Sequence, residues 1–173
     1  MKFLSRLLMV LIAFSAFAGC GAFWVDPYIT VSQSQLNWVE IHYYTLERKP
    51  IRRVSVRLSG MGFVEVKKGT SDLVSNDFAK SYRKNEWADI RTKRINVDPA
   101  HIKDIMQNLV NFGLLDREKT GKKSDKTEFK RFIAVKANVN NYMYSEQENI
   151  FEEDPDLAEQ LLDVIREFDI PTR

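Results

Sequence analysis

Residues 51–67 read "IRRVSVRLSGMGFVEVK", and the reading of this stretch decides the fold. Val54, Val56 and Leu58 recur at every second position, with Arg53, Ser55 and Arg57 set between them. Side chains alternate across a β-strand, so a period of two sends the apolar set to one face and the polar set to the other. "SGMG" at 59–62 then supplies two glycines where the chain must reverse, and "FVEVK" resumes the alternation. Two such runs joined by a short glycine-bearing turn predict a β-hairpin. Gly60 and Gly62 are expected as turn residues at positive φ. A phosphate cradle is not expected, because no G-x-G-x-x-G or P-loop spacing occurs.

The same period extends outward from the hairpin. In "NWVEIHYYTL" (37–46), Val39, Ile41 and Tyr43 alternate with Glu40 and His42. Residues 69–85 carry no regular pattern, after which "WADIRTKRINV" (87–97) alternates from Ile90 through Thr92. "TEFKRFIAVKANVNNYMYSE" (127–146) reads as two further strands with a turn at 138–141, where asparagines tolerate left-handed backbone.

Two segments switch to a helical period. "DPAHIKDIMQNLVNFG" (98–113) has Asp98 as N-cap, Pro99 at the first helical position and Gly113 past the end. Ile102, Ile105, Met106 and Leu109 fall at i, i+3, i+4 and i+7, forming one apolar face. "DPDLAEQLLDVIREFDIP" (154–171) repeats the arrangement, with Leu157, Leu161, Ile165 and Phe168 as its stripe. The two helices align from Asp-Pro to Phe-x-Leu or Phe-x-Ile without a gap. A duplicated hairpin–helix unit would leave that match, and so would the commonness of Asp-Pro helix starts. Strand hairpins followed by helices predict an α+β fold. Its antiparallel sheet carries two amphipathic helices on one face and leaves the other to solvent or a partner.

The N-terminus bears on location. Lys2 and Arg6 precede twelve uncharged residues, 7–18, and the only cysteine of the chain follows at position 20. A membrane span needs about 20 apolar residues; this run fits instead the core of a secretory signal peptide. "FAGC" (17–20) resembles the lipobox of bacterial lipoproteins, with Phe17 where that family most often has leucine. The resemblance implies that Cys20 takes a diacylglycerol thioether, becomes the mature N-terminus after cleavage, and is acylated on its new amino group. Two other readings stay open: "AFA" (16–18) as an ordinary signal-peptidase site releasing a soluble chain from Gly19, and Cys20 as a small unmodified residue. In the same family Gly21, in place of aspartate, points to the periplasmic face of an outer membrane. The expected organisation is a signal peptide over 1–19, a lipidated tether over 20–36 and one α+β domain over 37–173. Without the leader, 154 residues remain with 24 basic and 24 acidic side chains, so the mature chain is formally neutral. Neutrality and export together argue against a nucleic-acid partner. With Cys20 lipidated, no thiol remains for a disulfide, a metal site or a nucleophile.

Catalytic motifs are sparse. Glu40 and His42 share a strand face with Tyr44 and could form a weak metal or acid–base pair. A polar, solvent-facing strand surface is the plainer expectation, since no third ligand stands at metal spacing. His101 falls in the first helical turn, where the helix dipole disfavours a proton, and is expected on the surface. Residues 146–159 hold seven acidic side chains and no basic one. Without the alternating oxygen ligands and central glycine of a calcium loop, they are expected to serve the helix N-terminus. Residues 117–131 hold seven basic against three acidic side chains. That loop and "RKPIRR" (48–53) could touch anionic headgroups, an anionic wall polymer or an acidic protein, or merely be solvated. Trp38, Tyr44, Phe132, Tyr142 and Tyr144 could line a groove for a small ligand, but cross-strand packing is the simpler expectation. No cofactor, metal or catalytic residue is assigned. The function expected is that of a membrane-anchored envelope lipoprotein that binds another envelope protein or an anionic envelope polymer. The alternative is an envelope hydrolase acting on wall or lipid material through dispersed carboxylates.

Overall fold

The computed structural model describes residues 29–47, 50–71, 88–115, 130–146 and 149–169. Among these residues six antiparallel strands form one sheet: β1 (Trp38–Thr45), β2 (Ile51–Ser59), β3 (Phe63–Ser71), β4 (Ala88–Asn96), β5 (Arg131–Val139) and β6 (Tyr142–Glu146). Their spatial order is β4-β3-β2-β1-β5-β6. The helices are α1 (Pro99–Asn111), the short α2 (Ile150–Glu153) and α3 (Pro155–Phe168). The α+β architecture and its hairpins are those expected; α2 is the addition.

Local chemistry explains the turns. Gly62 stands at φ +89, as a turn glycine should. Gly60 does not: its φ is not positive, and it is required for a different reason. A Cβ there would lie 2.0 Å from the carbonyl oxygen of Ser34, so only glycine lets the hairpin approach the incoming chain. At the β5–β6 turn, Asn140 and Asn141 stand at φ 52 and 67, the two left-handed positions of a type I′ hairpin.

The helix ends match their sequence signals. Asp98 accepts a hydrogen bond from the Ala100 amide at 2.9 Å, and Asp154 accepts one from Leu157 at 3.2 Å. Past α1, Gly113 at φ 93 lets its amide donate to Val110, while Leu114 donates to Leu109. That pair of bonds is a Schellman motif.

The core lies between the helices and one sheet face. Val39 and Ile41 of β1, Val56 and Leu58 of β2, Val64 and Val66 of β3, and Val135 and Ala137 of β5 are buried there. Ile102, Met106 and Leu109 of α1 meet them, as do Leu157, Leu161, Leu162 and Ile165 of α3. α3 lies over β1 and β2, α2 against β5, and α1 beside α3. The strand–strand–helix order thus recurs, but the two long helices pack in different places.

Two boundaries differ from the sequence reading. Residues 29–36, expected as tether, belong to the domain: Val31 is in the core and its amide donates to Gln107 at 2.7 Å. Gly69 to Ser71, read as irregular, complete β3. Among the described residues no helix is long and apolar enough to cross a membrane.

Candidate functional site

The face of the sheet turned away from the core is set by register. One row runs Lys136, Glu40, Arg57, Glu65, Arg94 across β5, β1, β2, β3 and β4. Its charges alternate in sign, so each strand presents the opposite charge to its neighbour, the stabilising cross-strand arrangement. The next row is Ala134, His42, Ser55, Lys67, Thr92, and the third is Phe132, Tyr44, Arg53, Gly69.

Burial divides this outer face into two halves. Tyr44, Ile51, Phe132 and Ala134 make a second hydrophobic cluster, flanked by Leu46. Tyr44 and Phe132 are register partners in edge-to-face contact, ring centroids 5.9 Å apart. This is the cross-strand packing expected of them. Burial pushes the Tyr44 phenol above its ordinary range. Within the cluster Arg53 is only 1% exposed, its guanidinium 5.0 Å from the centre of the Tyr44 ring.

Arg53 leads into a buried polar chain. Its Nη2 lies 3.4 Å from His42 Nδ1, and His42 Nε2 lies 3.1 Å from Glu40 Oε1. An ionised carboxylate only accepts and a guanidinium only donates. The histidine between them therefore carries its proton on Nε2, gives it to Glu40, and takes one from Arg53 at Nδ1. Protonating Nδ1 would set two N–H groups against each other. Burial lowers the His42 pKa below its ordinary value of 6.5; the bond to Glu40 opposes that shift and the Arg53 charge adds to it. The hydrogen bond from His42 holds the Glu40 carboxyl below the usual carboxylate range; partial burial opposes this, and the charges of Arg57 and Lys136 assist.

This geometry corrects one expectation. His42 is not part of a solvent-facing surface; it is 5% exposed. Nor does the pair carry the weak chemistry considered for it. Both imidazole nitrogens are engaged, so neither offers a lone pair to a metal or a substrate proton. Glu40 is ionised at neutral pH and is unsuited to act as a general acid. Among the described residues, no three His, Cys, Asp or Glu side chains come together as metal ligands.

The other half of the outer face is open and basic. Arg57 and Arg94 are exposed. The Arg57 guanidinium lies 5.3 Å from the Trp38 ring centre, and that of Arg94 3.6 Å from the Phe63 ring centre. Lys67 pairs with Glu65 at 2.8 Å. Counting ionised groups, the whole face has Arg53, Arg57, Lys67, Arg94 and Lys136 against Glu40 and Glu65. The helical side is acidic around α2 and α3: these helices and the flanking Asp154 and Asp169 carry eight carboxylates and one arginine, with Lys68 of β3 pairing with Asp169 and Arg166 pairing with Asp163. Among the described residues, charge is thus divided between a basic outer sheet face and an acidic pair of helices.

The chain joins the domain at the basic end. Asn140 accepts from the Ser32 amide at 2.8 Å and donates to the Thr30 carbonyl at 2.8 Å. Gln107 donates to the Ile29 carbonyl at 3.0 Å. Buried Asn37 completes this clamp, donating to Ser32 and accepting from the Asn140 amide. Asn140 follows the end of β5, where Asn138 is the register partner of Trp38.

The remaining expectations fall as follows. His101 is exposed, as read, with its Nε2 2.7 Å from Glu167 of α3. Asp154 caps α3, but Glu152 and Glu153 belong to α2. Tyr142 is exposed on the edge strand β6 and Tyr144 packs partly against the main core. Cys20, residues 48–49 and residues 117–129 lie outside the described residues. Sequence reasoning missed Arg53, Asn37 and Asn149 as buried polar positions. Asn149 donates to the Arg131 carbonyl at 3.0 Å and accepts from Ile133 at 3.2 Å, tying α2 to β5. For Arg53 the local signal is only its polar place in the β2 alternation; its position beside His42 follows from the β1–β2 register. No protein-family model, no curated protein sequence and no solved structure matches this chain.

Proposed function

We propose that this protein is an envelope lipoprotein, held by lipid on Cys20 and acting as a binding module through its charged outer sheet face. The observation that carries the reading is "FAGC" at 17–20, behind a basic start and twelve uncharged residues. Each buried methylene contributes about 0.8 kcal/mol, and a single myristoyl chain binds only marginally. Two or three chains on Cys20 would give lasting attachment, at the periplasmic face of an outer membrane where the cell has one.

Binding is favoured over catalysis by the state of the outer face. Glu40 is ionised and bonded to His42, and Glu65 is paired with Lys67. Hydrolysis by paired carboxylates needs one of them protonated, and neither is placed for that role.

Intact-mass measurement on the membrane fraction tests the anchor. The expected species begins at Cys20 with a diacylglyceryl thioether, and Cys20→Ser should release the chain from the membrane. A mature chain beginning at Gly19 with a bare thiol would overturn the reading.

A further inference from the structure

We propose that the open end of the outer sheet face, built from Trp38, Arg57, Phe63 and Arg94, lies against anionic phospholipid headgroups of the bilayer that holds the anchor. The inference rests on the lipoprotein reading and adds to it an orientation and a ligand chemistry. Three separate observations converge on it.

The first is the pairing of side chains. Arg57 and Arg94 are exposed, and each sets its guanidinium over an aromatic ring that is itself partly exposed. A cation backed by an aromatic ring suits the headgroup layer, where phosphate meets the apolar boundary and amphipathic rings are favoured. The two carboxylates in the same row are taken up within the protein, Glu65 by Lys67 and Glu40 by His42.

The second is the route of the chain. Ile29 to Ser32 are clamped by Gln107 and Asn140 at the Trp38 end of the sheet. Eight residues separate Ile29 from Cys20, a reach of at most about 30 Å fully extended. A lipid on Cys20 would keep this end of the domain close to the surface.

The third is polarity. Charge interactions across water fade within about 8 Å at physiological ionic strength, so only the side facing the bilayer counts. The basic face is drawn to an anionic surface, while the carboxylates around α2 and α3, which outnumber the cations there even after Lys68 pairs with Asp169 and Arg166 with Asp163, are repelled by it. Attraction on one side and repulsion on the other select one orientation.

The test uses the lipidated full-length product, reconstituted into vesicles of phosphatidylcholine alone or with phosphatidylglycerol added. Arginines are modified with phenylglyoxal and read by mass spectrometry, and the mass of the Cys20 peptide is recorded on the same samples. Arg57 and Arg94 should react several-fold more slowly in the anionic vesicles, with Arg166 on α3 unchanged. The double variant Arg57→Glu/Arg94→Glu should remain lipidated and vesicle-bound, and Lys67 acetylation in it should no longer differ between the two lipids. Equal reactivity of Arg57 and Arg94 in both vesicles, with lipid on Cys20, would overturn the orientation while leaving the anchor standing. Protection that appears only on adding a wall polymer or soluble envelope proteins would overturn it in favour of those partners. A Cys20 peptide without lipid would overturn both readings.

Discussion

Across the same strands, the inner face buries Val39, Ile41, Val56 and Leu58 under helices, while the outer face buries Tyr44, Phe132 and Ile51 beside Arg53 and His42. The inner contacts are non-directional, and their worth follows the apolar area removed from water. The outer contacts depend on angle and protonation state, because a buried polar group costs free energy unless its partner is in place. One sheet therefore carries two kinds of stability, and they should respond differently to substitution and to pH.

The largest contrast is set by truncation of the inner face. Leu58 is fully buried between β1, β3 and the helices. Leu58→Ala should cost about 3–5 kcal/mol, the transfer loss plus an unfilled cavity. Urea unfolding should show this at any pH where the protein is folded. A cost below about 1 kcal/mol would mean that the helices do not close firmly over this face.

On the outer face, Arg53→Leu keeps apolar bulk against Tyr44 but removes the donor to His42 Nδ1. The expected cost is about 2–3 kcal/mol, most of it the penalty of leaving buried polar atoms unmatched. Adding His42→Leu should recover part of that loss, since the group left unmatched is then removed. A double variant no better than the sum of the singles would show that His42 and Arg53 are not coupled.

The pH response separates the faces next. In the folded protein burial holds His42 below 6.5, so below that pH the unfolded chain binds a proton that the folded chain refuses. Stability from this group is present above pH 6.5 and is lost as pH falls towards the folded value. Glu40, also lowered, acts in the same direction at more acidic pH: its contribution stands above the unfolded carboxylate pKa and disappears below it. Acidification from pH 7.5 to 5 should thus weaken the protein, with a slope from His42 of at most about 1.4 kcal/mol per pH unit. His42→Gln should flatten that part of the profile, whereas Leu58→Ala should displace it without changing its shape. An unchanged slope in His42→Gln would place the sensitivity elsewhere.

The same division separates what is legible in the sequence from what is not. Helix starts at Asp98-Pro99 and Asp154-Pro155 were readable because capping is decided within four residues. The inner face was readable because Val54, Val56 and Leu58 carry their own period of two. Arg53 and His42 lie eleven positions apart, and only the β1–β2 register makes Ser55 the partner of His42 and puts Arg53 beside it. Nothing local marks a histidine in a polar alternation as buried. The local pattern marks Gly60 as a turn glycine but does not show why glycine is required, since the carbonyl of Ser34 that excludes a side chain comes from outside the hairpin. Residues 29–36 read as a tether for a related reason: their partners, Gln107 and Asn140, lie more than 70 positions away.

The smallest effect should come from the open half of the outer face, and it tests whether burial or mere pairing sets the energy. Lys67 and Glu65 lie 2.8 Å apart, closer than His42 and Glu40 at 3.1 Å. Distance alone would rank the lysine pair as the stronger. Its side chains, however, keep 44% and 30% of their surface in water, where solvent screens the attraction and both chains lose rotamer freedom to meet. A double-mutant cycle on Lys67→Ala and Glu65→Ala should give a coupling of about 0.2–0.5 kcal/mol, shrinking further in added salt. The matching cycle on His42 and Glu40 should give a larger coupling that salt scarcely touches, because His42 is shielded from it. Equal couplings for the two pairs would mean that the outer face is one wet surface throughout, and that the buried chain through Arg53 adds nothing to holding the sheet together.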